Sequence, residues 1–307
     1  MPNANNPLIS RRVLLRHLGI ATTATSALAL LGCGGGGGSS SSSNDNASAD
    51  TDTGSDSSTG SDTSTGTDTS TDTSVAEGEW LTGGTSAMEA DFPPTTNPFD
   101  SGLANACTLT DQFTVGPCFF EVEDERDDIS EGQPGVPMTL AMKLVDADCE
   151  PVAGAVMEVW WCDAEGIYSG DNSEAAHAVS QFNAGFCTGN DSEALAARWF
   201  RGIKTTDADG VVYFKGCFPG WYPSRTTHIH FRIVLDGNQQ LISQFGFDDN
   251  LANDIYLNNS DYTGQTKDTS NARDTVFPSN GVEDYLFEVE RQWDGSMLVY
   301  KAVQINV

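Results

Sequence analysis

The chain has 307 residues, with 15 Lys and Arg against 44 Asp and Glu, and a formal net charge of −29. So large an acidic surplus argues against nucleic acid as a partner and against electrostatic docking on anionic lipid. Once the low-complexity start is set aside, the length suffices for one domain with a substantial core.

Residues 1–33 carry Arg11, Arg12 and Arg16 but no acid, and then a mildly apolar run from Ile20 to Leu31. That run is too short and too rich in Thr and Ala to span a membrane as a mature helix. Ser10-Arg11-Arg12-Val13-Leu14-Leu15-Arg16 resembles a twin-arginine export signal, and Leu30-Leu31-Gly32-Cys33 resembles a bacterial lipoprotein box. The expectation is an exported lipoprotein facing the periplasm or the cell surface, attached to the membrane only through a lipid on Cys33. Residues 34–76 are Gly and Ser runs followed by Asp/Ser/Thr/Gly repeats. They cannot bury enough apolar surface to fold, so they read as a disordered tether.

The folded domain is expected over residues 77–307. Its six cysteines, Cys107, Cys118, Cys149, Cys162, Cys187 and Cys217, form an even set, which in an exported chain predicts two or three disulfides of undetermined pairing. No Cys-x-x-Cys is present, which weighs against a zinc knuckle or a thioredoxin-like site. Residues 79–106 show little periodicity and read as an irregular lead-in wrapping the domain. Strands are predicted at Val136–Val145, Ala155–Trp161, Val211–Lys215, His228–Leu235, Leu241–Phe245 and Met297–Ile305. Many short strands with Gly/Asp turns and few helices predict a mainly β fold, an antiparallel β-sandwich. Asp207-Ala208-Asp209-Gly210 lacks the further ligands of a calcium loop and reads as a hairpin turn.

The chemistry concentrates in Pro219 to Phe231. On the strand starting at His228, alternation turns His228 and His230 to one face and Ile229 and Phe231 to the other. Two imidazoles from one rigid strand make half a metal site, although the pattern also suits an amphipathic strand with its polar face to water. Just upstream, Gly220-Trp221-Tyr222-Pro223 is a turn able to swing a phenol toward the same point, and Arg225 lies between. Earlier, Trp160-Trp161-Cys162-Asp163-Ala164-Glu165-Gly166-Ile167-Tyr168 ends a strand in a glycine turn bearing a second tyrosine.

Pro-Gly-Trp-Tyr ending at Tyr222, Arg225 three residues before His228, and His-Ile-His-Phe together resemble the core of the intradiol ring-cleavage dioxygenases. The short secreted members are the most similar, and the resemblance runs from about Cys107 to Phe277. It implies a transthyretin-like β-sandwich and an iron(III) centre held by Tyr168, Tyr222, His228 and His230. Hard iron(III) favours phenolate oxygen beside imidazole, whereas two histidines and one carboxylate would indicate iron(II). Neither Asp163 nor Glu165 occupies the place of that carboxylate.

The resemblance further implies a catechol-type substrate and O2 as partners, with Tyr222 leaving the iron to take a substrate proton. Arg225 matches the arginine that stabilises the electron-rich substrate, and Gln244 a glutamine that hydrogen-bonds near the intermediate. The ring would open between its two hydroxyl-bearing carbons to a muconate-type diacid. Arg201-Gly202 also fits the family without an assigned chemical role, whereas Cys118 stands where relatives often carry an aromatic. A lipid-tethered transthyretin-like binding module with a degenerate metal site is the competing expectation, and retention of all four ligand positions argues against it. Neither the substrate's identity nor the oligomeric state follows from the residues.

Overall fold

The computed structural model describes residues 78–100, 102, 108–123, 125–171 and 184–307. The predicted signal, the Cys33 anchor and the 34–76 tether lie outside the described residues. The described residues lie in one compact unit, and among them eight strands build two four-stranded sheets.

The first sheet contains β1 (Pro137–Val145), β4 (Val211–Cys217), β7 (Glu288–Arg291) and β8 (Met297–Gln304), in the order β4-β1-β8-β7. The second contains β2 (Val156–Trp160), β3 (Arg201–Thr205), β5 (His228–Leu235) and β6 (Asn238–Gly246), in the order β3-β2-β5-β6. Every pair is antiparallel except β1 and β8, which run parallel from Met138↔Met297 to Val145↔Gln304. The sandwich is therefore as expected, with one parallel pair that the sequence pattern does not specify.

Strand alternation builds the core. Met138, Leu140, Met142 and Leu144 of β1 pack with Met157 and Val159 of β2 and with Ile229, Phe231 and Ile233 of β5. The other face of β1 is buried as well, because Phe99 of the lead-in packs with Ala141, Val211 and Leu298 and stands edge-on to Tyr300, 5.9 Å between ring centroids. The lead-in is pinned at its start by Leu81 N–H on Gly295 O, and farther along by Glu89 and Ala90 N–H on the Asp294 carboxylate, both at 2.8 Å. The expected wrapping of the domain is thus an ordered strap across the β7–β8 turn.

The turn at Asp207–Gly210 has the tight hydrogen-bonded form expected, with the Asp207 carboxylate accepting from Asp209 and Val211 N–H. It is not a hairpin, however, because it carries the chain from β3 in one sheet to β4 in the other. Short helices α1 (Ala184–Thr188) and α2 (Ser192–Ala196) sit between β2 and β3, and α3 (Asp249–Asn258) follows β6. Asp248 caps α3 by accepting from Asn250 and Leu251 N–H, the usual use of an N-cap aspartate. Ala252, Ile255 and Tyr256 form its buried face.

Candidate metal centre

Two glycine turns position the phenols. In the first, the Asp163 carboxylate accepts from Glu165 and Ile167 N–H, while Gly166 N–H and Gly220 N–H both reach Asp163 O. The second turn, Pro219 to Tyr222, interlocks with it. A Cβ on Gly166 would lie 2.2 Å from Trp221 O, and one on Gly220 would lie 2.4 Å from Asp163 O. No larger residue fits at either position, and the close approach brings Tyr168 and Tyr222 to 5.8 Å between ring centroids. The carboxylate of Asp163 is occupied in shaping the first turn.

The imidazoles arrive from β5. Ile229, Phe231 and Ile233 enter the core, so His228 and His230 take the opposite face of the second sheet, as alternation requires. His228 Nε2 lies 3.2 Å from Tyr222 Oη, 3.5 Å from Tyr168 Oη and 3.1 Å from His230 Nε2. The four side chains named from the sequence thus converge on one point. Among the described residues no group of three or more His, Cys, Asp or Glu is placed to hold a metal ion; the donors that meet here are two phenols and two imidazoles.

The surroundings prepare this donor set. His228 Nδ1 lies 2.6 Å from Thr226 O. A carbonyl only accepts, so Nδ1 carries the proton and Nε2 presents a lone pair toward the phenols. Burial, reinforced by the Arg225 charge, pushes His228 down to about 3. Burial above all, with His228 and Arg225 close by, keeps His230 well below the usual histidine range, so both rings are neutral. Trp160 stacks on His230 at 4.9 Å between centroids and 10° between planes, and Gly116 leaves only enough space for the ring, since a Cβ there would meet Cε1 at 3.0 Å.

Burial raises Tyr168 well above its ordinary range, and raises Tyr222 to about 12 against the opposing pull of Arg225. Two neutral imidazole nitrogens and two buried phenol oxygens, reluctant to ionise without a cation, fit a hard, highly charged metal ion. The predicted iron(III) suits these residues. The phenols differ in one respect: Tyr168 is sealed, whereas Tyr222 is half-buried.

Arg225 and Gln244 come together beside this centre, with Arg225 Nη2 donating to Gln244 Oε1 at 2.6 Å and Gln244 Nε2 donating to Thr114 O at 2.9 Å. Gln244 faces His230 across the β5–β6 ladder, which sets the guanidinium on the ligand face. Its charge lowers both imidazoles and opposes the rise of both phenols.

Several contributors were not foreseen. Tyr256 of α3 hydrogen-bonds Thr227 Oγ1 at 2.6 Å and donates to Pro219 O at 3.0 Å, so it ties the second turn to the start of β5. An Asp before Leu251, Ala252, Ile255 and Tyr256 was the available signal for that helix. Arg201, to which the sequence assigned no role, is buried with Nε and Nη2 on Ser169 O and Nη2 on Cys118 O. Burial brings it down to about 9. Cys118 is bonded to Cys187, whose carbonyl accepts from Tyr168 N–H, so a disulfide stands in this wall. Cys149 is also disulfide-bonded, while Cys162 and Cys217 are free and buried.

A family profile described as Dioxygenase matches residues 116–287, more than half of the chain. The chain is 27% identical over 139 residues to catechol 1,2-dioxygenase 1 of Acinetobacter lwoffii, covering 39% of each protein. It is 29% identical over 116 residues to 6-chlorohydroxyquinol 1,2-dioxygenase of Cupriavidus pinatubonensis, covering 38% of this chain and 41% of the relative. The matches thus span about two fifths of the length of these curated relatives. A solved intradiol ring-cleavage dioxygenase from Tetranychus urticae superposes with a TM-score of 0.56 at 29% identity, covering 65% of this chain and 95% of that one. By the profile across its folded part, the sandwich and these likenesses, the chain belongs to the intradiol ring-cleavage dioxygenases.

Proposed function

We propose that the protein is an iron(III)-dependent intradiol dioxygenase. It opens the ring of a catechol-type substrate between the two hydroxyl-bearing carbons and places both atoms of O2 in a muconate-type diacid. The observation that carries this reading is the meeting of Tyr168 Oη, Tyr222 Oη, His228 Nε2 and His230 Nε2 at one buried point. These residues would hold iron(III), which when bound acidifies the chelated substrate hydroxyls and draws charge from the ring. The names of the relatives in the comparison support a catechol-type substrate.

The protein's own groups divide the remaining work. Half-buried Tyr222 would be the one of the four with room to move aside, and its Oη would accept a proton from a substrate hydroxyl. Sealed Tyr168 stays in place, as do His228, fixed by Thr226 O, and His230, fixed by Trp160. Arg225 holds a positive charge where negative charge develops on the substrate, a preorganised stabilisation that needs no rearrangement during reaction. Gln244 keeps that guanidinium against the ligand face. The stacked Trp160 and the sealed walls keep water off the imidazoles.

Oxygen uptake with product analysis over catechol, hydroxyquinol, protocatechuate and substituted catechols tests the reading. One O2 consumed per cis,cis-muconate-type product, by red-brown protein with about one iron per chain, is the expected result. A yellow semialdehyde, or full activity in colourless protein, would overturn it.

We also propose export and lipid anchoring at Cys33, and the Cys118–Cys187 disulfide supports an oxidising compartment. Mass spectrometry of the mature protein should find a lipidated Cys33 at its N-terminus. An unmodified end elsewhere would refute the anchor.

A further inference from the structure

Asp274 lies 49 residues beyond Arg225 in sequence, just after the single-turn helix Asn271–Arg273. Nothing in its own neighbourhood marks it for the site. Its side chain is fully buried and receives four donors. Oδ2 accepts from Arg225 Nε at 2.9 Å and from Thr226 N–H at 2.8 Å, while Oδ1 accepts from Val276 N–H at 2.8 Å and Phe277 N–H at 3.3 Å.

The two bonds on Oδ2 lead to different parts of the centre. Arg225 is gripped from opposite sides, at Nε by Asp274 and at Nη2 by Gln244, which leaves a long side chain with one orientation. Thr226 is the residue whose carbonyl holds His228 Nδ1, so the residue that fixes the imidazole is anchored through its own N–H to the same carboxylate. Lys267 completes the frame, with Nζ 2.5 Å from both Thr226 Oγ1 and Asp249 Oδ1. Bonds from buried partners to groups beside a metal centre set their orientation, and removing one typically costs about 10–100-fold in metal affinity or activity.

We infer that Asp274 is the positioning residue of this centre: a single carboxylate that aims the Arg225 guanidinium at the substrate and anchors Thr226, the residue whose carbonyl holds His228. The inference rests on the ring-cleavage reading. Asp274 touches neither substrate nor metal, and it acts through the two groups that do.

The test is a double-mutant cycle on iron-loaded full-length protein, with kcat and KM measured separately for Asp274→Asn, Arg225→Ala and the double variant. Asp274→Asn should lower kcat about 10–100-fold, keep the visible band and iron content, and change KM less than kcat. In the double variant the two losses should multiply only in part, because without Arg225 the carboxylate has no guanidinium to aim and only its hold on Thr226 remains. Wild-type kcat in Asp274→Asn, or losses that multiply in full in the double variant, would overturn the inference. If Asp274→Asn does not fold, Asp274→Glu is used in the same cycle, since it keeps the charge but displaces it by one methylene. Failure of the ring-cleavage reading would show separately, as absence of ring cleavage by the wild-type protein.

Discussion

At the residue scale, similar side chains hold distinct roles because their surroundings differ. Tyr168 is sealed between the Cys118–Cys187 wall and the Gly166 turn, while Tyr222 stands half-open beside Arg225. Tyr168→Phe should therefore bleach the visible band and weaken iron retention, as read by spectrum and metal analysis. Arg225→Ala should keep colour and iron yet lose about a hundred- to a thousand-fold in turnover, the usual cost of removing one preorganised charge partner. His228 depends on a single bond from Nδ1 to Thr226 O, and its low pKa follows from burial and the Arg225 charge.

At the element scale, the site is a joint between two turns and one strand. Gly166 and Gly220 each bring backbone against backbone where a Cβ has no room. Gly220→Ala should push the turns apart and lower iron content and melting temperature together, a coupled loss that metal analysis and calorimetry would register.

The lead-in strap is held separately, by Asp294. Burial alone would raise its carboxyl, but hydrogen bonds from Ser296, Ala90 and Glu89 outweigh this and hold it below the usual range. Its contribution to stability is therefore complete above the ordinary carboxylate pKa of about 4 and is lost as pH falls through the depressed value. Asp294→Ala leaves the Glu89 and Ala90 amides without their acceptor, at a cost of about 1–3 kcal/mol. The melting temperature should drop at neutral pH, and the gap from wild type should narrow on acidification below about pH 4. Melts across that range decide the point.

At the scale of the whole molecule, the Cys118–Cys187 disulfide closes a separation of 69 residues and joins the segment against His230 to the helix whose Cys187 carbonyl holds Tyr168. Cys187→Ser should cost about 2–4 kcal/mol, the typical worth of such a link. It should also loosen iron, so reducing agent should speed metal loss from the wild-type protein but not from the variant. Cys162 and Cys217 are free and buried, and burial raises both thiols.

The sandwich, the shared face of His228 and His230 and the turn carrying Tyr222 were legible because each rests on local pattern, whereas Tyr168 was singled out by the family resemblance. The alternation of His228-Ile229-His230-Phe231 sorts faces by itself, and the two glycine–tyrosine turns announce themselves by composition. Strands β3 and β7 were missed because Arg201–Thr205 and Glu288–Arg291 are short and rich in charge, and only pairing with Val156–Trp160 and Met297–Gln304 makes them strands. Helix α3 was passed over despite the Asp248 cap.

What the sequence determined by itself was the placing of two imidazoles on one face of β5 with a turn-borne phenol beside them; the full donor set came with the family resemblance. The tertiary structure alone decided what supports them. Trp160 against His230, Asp274 beneath Arg225, Arg201 behind Tyr168 and the parallel β1–β8 pair all join residues distant in the chain. Such contacts depend on how buried groups satisfy one another once the sheets have closed, and no short stretch of sequence carries that information.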